Sequence, residues 1–281
     1  MDWLFWAPVM CAGVVTGAST GLLGGYIVGM RIPFLGICVA HAALAGAVFG
    51  ALCGLTGPSL LVPALAAASI SAVAVGLVDP QTVRMDLNVM LGILFSLMMG
   101  LAFLGLGLFS VYGVSDNEVR NLLWGSLAFC RWRDVWIMVA SAAAELIFVV
   151  VFYKEMRAIL FSRTHAAAAG VHATLVWTLF LLVASLVLTV NFQTVGGLMI
   201  YSLLANPAVA ASQLVRGCGR TLVVSAALGA ASGLGGLWIS AATDLPTGAV
   251  IVIVSSLLVV LAIAWKRAWK RGESHVSGEG A

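Results

Sequence analysis

Nine stretches of this chain are apolar for about the length of a membrane crossing, and little polar sequence separates them. They cover residues 4–29, 32–54, 58–78, 87–112, 135–153, 172–192, 195–214, 221–242 and 247–265. A helix needs about 20 predominantly apolar residues to traverse the hydrocarbon core. Composition agrees, with 62% of residues hydrophobic and 9% charged, against about 25% charged in soluble domains. A soluble protein of this length would leave its surface short of charge. The expectation is an all-α integral membrane protein of about nine transmembrane helices. It forms one membrane domain over residues 1–265, with a tail at 266–281. The stretch 116–132 is amphipathic and too short to span, so it is read as an interfacial or re-entrant helix. The start, Met-Asp-Trp, lacks the basic region of a signal peptide, and the first apolar run reads as a retained span.

Charge decides orientation. With nine spans, one set of ends holds Arg31, Arg84, Lys154, Arg157, Arg163, Arg216, Arg220, Lys266, Arg267, Lys270 and Arg271. The other set holds only Arg120, Arg131 and Arg133. The bias exists only for an odd number of spans. Cytoplasmic loops carry the excess of Lys and Arg, so the N-terminus is expected outside and the C-terminus in the cytoplasm. No basic tract points to nucleic acid.

Glycines predict how the helices meet. Gly13, Gly17, Gly21, Gly25 and Gly29 recur at four-residue spacing in the first span, and Gly46, Gly50 and Gly54 in the second. Gly92, Ser96 and Gly100 form a looser row in the fourth. Such rows let backbones approach closely where lipid supplies no hydrophobic drive. The five cysteines, Cys11, Cys38, Cys53, Cys130 and Cys218, are scattered without a C-x-x-C pair. They read as buried thiols rather than as a disulfide framework or zinc site.

Polar groups at membrane depth are functional candidates by default. His41 lies nine residues into the second span, on nearly the same face as Cys38 and Leu44. Its imidazole can ligate a transition metal, relay a proton, or simply hydrogen-bond a neighbouring helix. Glu145, near the middle of the fifth span, faces either a water-filled path or a structural partner. Asn206 precedes Pro207 in the seventh span, where the proline frees carbonyls that the amide can satisfy. Gly17-Ala18-Ser19-Thr20-Gly21 matches a serine-nucleophile pattern, but that motif needs a strand-to-helix turn. A Ser232–His41 dyad of an intramembrane hydrolase has no local support. None of the three lysines follows a glycine, so there is no phosphate-binding loop. Nucleotide energy, if used, comes from another subunit. The loop from Lys154 to His172 contains four consecutive alanines and Gly170. It predicts a short capped helix that either docks a soluble partner or lies on anionic lipid.

Several of these segments, in order, resemble the membrane permeases of metal-uptake ABC transporters of the zinc and manganese type. Gly36 to Gly46 resembles the family's Gly-Asp-Ala-Leu-Ser-His segment, with His41 in place. Asn117 to Gly125 is similar to its external "LFG" segment, and Phe152 to Gly170 to its cytoplasmic element. Gly197 to Ala208 parallels a helix ending in Pro-Ala, and Asp244 to Gly248 a near-terminal turn. Two positions depart from the pattern. Ile37 or Cys38 stands where the family has an aspartate, and Ser162 where another is usual.

The resemblance implies a compact bundle like that of type II ABC importers, working as a homodimer with the metal path between subunits. His41 and Cys38 would line that path, with Glu145 and Asn206 as further candidates. Cytoplasmic ATPase subunits would dock on Phe161, Ala166 and Gly170, and would use the ATP. An extracytoplasmic metal-binding protein would deliver the ion to the outer face. The chain itself is expected to bind no cofactor and to catalyse no reaction. It would sit in the plasma or inner membrane. Zinc or manganese is the implied cargo. Iron or a chelated metal, an ion-coupled carrier and an intramembrane hydrolase are the alternatives.

Overall fold

Each apolar run becomes a helix in the computed structural model, which describes residues 3–78, 85–113 and 130–278. The long helices are α1 (Trp3–Gly29), α2 (Phe34–Leu52), α3 (Leu61–Leu77), α4 (Leu87–Tyr112) and α5 (Trp132–Val151). Two short helices follow, α6 (Tyr153–Phe161) and α7 (Arg163–Ala168). The chain then returns through α8 (Ala173–Val195), α9 (Gly197–Leu214), α10 (Cys218–Thr243) and α11 (Thr247–Gly278). The amphipathic stretch 116–132 lies, except for its last three residues, outside the described part. So does the 117–125 segment of the family resemblance.

Among the described residues, eight helices are long and apolar enough to cross a membrane by length and composition. The expected span at 195–214 is not one of them, although it folds as α9. Ser202, Asn206, Pro207 and Gln213 dilute its hydropathy. Its neighbours show that it nonetheless traverses the bundle. A side chain at Gly248 would touch Met199 at one end, Asn206 meets Ser255 and Ser256 midway, and Lys266 donates to Gln213 at the other. α9 therefore runs parallel to α11 over its whole length. Protein covers much of it, so it can carry polar groups that a lipid-facing helix cannot.

The glycine row of α1 finds its partner in α10. A Cβ on Gly13, Gly17, Gly21 or Gly25 would strike Leu237, Gly229, Ser225 or Leu222 respectively. The α1 numbers rise as the α10 numbers fall, so the two helices are antiparallel. At Gly17 a Cβ would overlap the Gly229 carbonyl oxygen. No side chain fits there, and the backbones touch. Gly46 and Gly50 bring α2 against Pro63 of α3 in the same way. The looser row in α4 differs: Gly92 and Gly100 have nothing within 4 Å. Only Leu91, Ala102, Gly105 and Phe109 of that helix are buried. Gly92, Ser96 and Gly100 do not pack on a neighbour, whereas Gly105 lies against Val48 of α2.

α8 occupies the interior, packing on α1, α2, α3 and α5. Tyr26, Phe148 and Phe180 join α1, α5 and α8 through edge-on and tilted ring contacts at 5.7 and 6.2 Å. α10 turns back into α11 through residues 244–246, where Asp244 takes a left-handed φ of 54°. α1 is antiparallel to α10, and α10 reverses into α11. The start of α1 and the end of α11 therefore leave opposite faces of the bundle, as an odd number of crossings requires.

Candidate translocation and coupling sites

His41 is half-buried on α2, its Nδ1 2.9 Å from the Ile37 carbonyl oxygen and its ring edge-on to Phe95 of α4 at 4.8 Å. With Nδ1 donating to that carbonyl, Nε2 is the nitrogen left with a lone pair for a cation. Cys38, one turn earlier, is buried in the apolar core. Its sulfur thus lies in the packed interior, while His41 sits at the margin. The expectation of buried thiols holds for Cys38 and Cys130 and fails for Cys11 and Cys53, which are exposed. Among the described residues, no group of three or more His, Cys, Asp or Glu side chains is arranged to hold a metal.

Glu145 is fully buried on α5. Its carboxyl faces the Leu23 backbone of α1, yet neither oxygen makes a hydrogen bond of acceptable length and angle. Asn206 has the opposite character. Its amide nitrogen lies 3.0–3.1 Å from the Ser202, Ser255 and Ser256 hydroxyls, which share its two hydrogens, and Ser202 and Ser255 bond each other at 2.8 Å. This is a hydroxyl–amide clamp between α9 and α11, and it satisfies the polar group that Pro207 accompanies. The two serines weighed for hydrolysis are also engaged. Ser232 bonds the Leu228 carbonyl, while Ser19 bonds the Thr16 carbonyl and accepts from Asn191. His41 engages the Ile37 carbonyl of its own helix instead.

Sequence reading missed Asn191. It donates to Ser19 at 3.0 Å and faces the Thr16 hydroxyl at 3.4 Å, joining α8 to α1 in the interior. The apolar run ends at 192, so Asn191 reads as a boundary residue. α8 continues to Val195 and buries it at 1% exposure. A polar pair in α1, Thr16 and Ser19, was the available signal that something polar would meet it.

On the basic side of the bundle, α6 and α7 form an angled pair. Ser162 is extended and caps α7, accepting from the His165 amide at 3.3 Å and contacting its Nδ1 at 2.8 Å. Serine and aspartate are both strong N-cap residues. The departure from the family pattern at this position therefore leaves the helix start intact. α7 ends with Gly170 at φ +85°, its amide donating to Ala167 and the Val171 amide to Ala166. These paired bonds are a Schellman motif, which needs the left-handed residue that glycine supplies. Phe161 projects from the junction at 86% exposure, whereas Ala166 is buried beneath α7. Of the three residues expected to contact an ATPase, Phe161 and Gly170 are exposed and Ala166 is buried.

Among the described residues, an all-helical bundle with opposite-facing termini and eight helices long and apolar enough to span defines a multi-pass membrane protein. The solved PsaBC complex from Streptococcus pneumoniae with a Fab has this fold: TM-score 0.79, 21% identity, covering 93% of this chain and 91% of that one. The chain belongs to the ABC 3 transport family, whose model matches residues 2–266. It is 26% identical over 263 residues to the manganese transport system membrane protein MntC of Listeria monocytogenes, covering 93% of this chain and 91% of the relative. The zinc transport system membrane protein TroC of Treponema pallidum is 27% identical over 258 residues, covering 91% and 87%. Membership makes this chain a transport subunit and not an enzyme.

Proposed function

We propose that this chain is the membrane subunit of an ATP-driven importer for a divalent transition metal, with manganese and zinc as the leading cargoes. The observation that carries the reading is the family match along 2–266, with relatives named for manganese and zinc transport. The protein works as a homodimer in the plasma or inner membrane. ATPase subunits dock on Phe161 at the α6–α7 junction, and a metal-binding protein docks on the opposite face. The N-terminus lies outside and the C-terminus in the cytoplasm. The odd number of traverses supports this, together with the concentration of basic residues on the α6–α7 side.

His41 contacts the ion in transit through Nε2. Among the described residues one protomer supplies too few ligands for a metal, and the second copy's residues complete the site. Cys38, buried one turn before His41, shapes the path from the core by packing rather than as an ion ligand. Glu145 is the second candidate for the path, being buried and without a hydrogen-bond partner. Asn206 contributes to the path by holding α9 against α11.

The test is radiometal uptake into proteoliposomes that contain the assembled transporter and its binding protein. His41→Ala is expected to lower ⁵⁴Mn or ⁶⁵Zn uptake at least about tenfold while the ATPase still co-purifies. Uptake at the wild-type rate would remove His41 from the path. Transport without ATP would replace the importer reading with an ion-coupled carrier.

A further inference from the structure

Leu204 of α9 fixes how three helices are aligned. A Cβ on Gly24 of α1 would strike its carbonyl, and a Cβ on Gly36 of α2 would touch its side chain. Gly24 and Gly36 flank the turn at Arg31 and share one level, so α2 runs opposite to α1. α9 is parallel to α11, and α11 to α1, which makes α2 and α9 antiparallel neighbours. Counted from Gly36, the helix twist turns Ile37 by about 100° and His41 by about 140° from the line to α9. Counted from Leu204, it turns Tyr201 by about 60° and Ala205 by about 100° from the line to α2. Right-handed helices running in opposite directions rotate in opposite senses. All four side chains therefore emerge on one side of the α2–α9 seam. Exposure agrees: Ile37, His41 and Ala205 are half-buried and Tyr201 is 39% exposed, whereas Val39 and Ile200 on the other side are buried. Phe95 of α4, edge-on to His41, borders the resulting groove.

We propose that Tyr201 lines the ion path beside His41, with its phenol oxygen contacting the ion in transit. The inference rests on the reading of His41 as a path residue. Depth supports it. At the helical rise, His41 lies about 7.5 Å beyond Gly36 and Tyr201 about 4.5 Å beyond Leu204, both away from the basic end. Gly24, at the same level, is about 7.5 Å from the end of α1 at Gly29. Both side chains are thus about 12–15 Å into a hydrocarbon core about 30 Å thick. Tyrosine concentrates at the membrane–water interface, where its hydroxyl finds a polar partner. A phenol turned to lipid at mid-depth would forfeit that partner at a cost. The groove is therefore a lining for water and ion under the second copy. Ile37 and Ala205 offer the ion nothing to hold, so contact is confined to the imidazole and the phenol. Two-fold symmetry repeats the pair on the facing copy. Few and separate contacts let an ion leave as well as enter.

Tyr201→Phe and His41→Ala are compared in proteoliposomes that hold the assembled transporter and its binding protein, with ⁵⁴Mn and ⁶⁵Zn as probes. Tyr201→Phe removes only the hydroxyl and should lower uptake of the transported metal about tenfold, as expected for one lost contact to a charged group. Its unfolding temperature and its retention of the ATPase should stay at wild-type values. Wild-type uptake in Tyr201→Phe overturns the proposal. If His41→Ala is impaired in the same assay, Tyr201 alone leaves the path, and if neither is impaired the path itself lies elsewhere. A lowered unfolding temperature would assign the hydroxyl a structural contact and also overturns the proposal. Tyr201→Cys supplies a second readout, with Cys11→Ser, Cys53→Ser and Cys218→Ser in place. A small polar thiosulfonate should label that thiol, and the transported metal should slow the labelling. A thiol that faces lipid stays unionised and unreactive, so failure to label refutes the site.

Discussion

Gly17 and Gly92 are the same residue in the same four-residue repeat, yet the structure gives them different tasks. The first abuts the Gly229 carbonyl, and the second has nothing within 4 Å. Gly17→Ala must separate α1 from α10 and is expected to cost about 1–3 kcal/mol, the usual penalty of overpacking. Gly92→Ala removes only a poor helix former and should leave stability unchanged or raise it by up to about 1 kcal/mol. Thermal unfolding of the two detergent-purified variants checks this, and equal shifts would mean that the α1–α10 seam is not packed on backbone. The contrast also marks what a sequence makes legible. A glycine row announces that a helix can be approached closely. It does not name the neighbour, because Gly17 meets a residue more than two hundred positions away and Gly92 meets none. His41 and Glu145 were legible because each is isolated in apolar sequence. Asn191 was not, because it lies at the edge of its run. A second residue-scale prediction concerns Glu145. A buried carboxyl without a hydrogen bond is costly, so Glu145→Leu is expected to match or exceed wild-type thermal stability while metal uptake falls. Lower stability would instead assign the carboxyl a structural partner.

At the scale of the element, α6 and α7 separate a contact residue from the residues that hold it in place. Phe161 is exposed and loses only an edge-on contact with His165, so Phe161→Ala should unfold close to the wild-type temperature. It should nevertheless retain at least about tenfold less ATPase subunit on co-purification, because exposed aromatic anchors dominate interfaces. Gly170→Ala puts a Cβ on a residue at φ +85°, costing about 1–2 kcal/mol, and should weaken ATPase retention by loosening the end of α7. If Phe161→Ala retains the ATPase fully, the docking surface is elsewhere. The sequence had grouped Phe161, Ala166 and Gly170 together because they share a motif. Only the folded pair shows that Ala166 faces inward, since alanine carries little signal of which side it presents.

The molecule as a whole makes a topological prediction that follows from helix directions. α1 and α11 run parallel, and α2 runs opposite to α1 after the short turn at Arg31. Cys53, exposed at the far end of α2, is thus on the face opposite Phe161. If the basic side is cytoplasmic, Cys53 faces outward. Two thiols can stay in place during labelling. Cys38 is buried, and Cys130 is buried with its pKa pushed up to about 12, first by desolvation and then by nearby Asp134. The thiolate is the reactive form, so neither competes near neutral pH. With Cys11→Ser and Cys218→Ser in place, a membrane-impermeant maleimide should label Cys53 in intact cells. Adding Cys53→Ser and Phe161→Cys should give a chain labelled only after permeabilisation. The reverse pattern would invert the protein in the membrane and remove the α6–α7 pair from the ATPase side. Labelling of both sites from outside would break the three traverses, α3, α4 and α5, that separate Cys53 from Phe161.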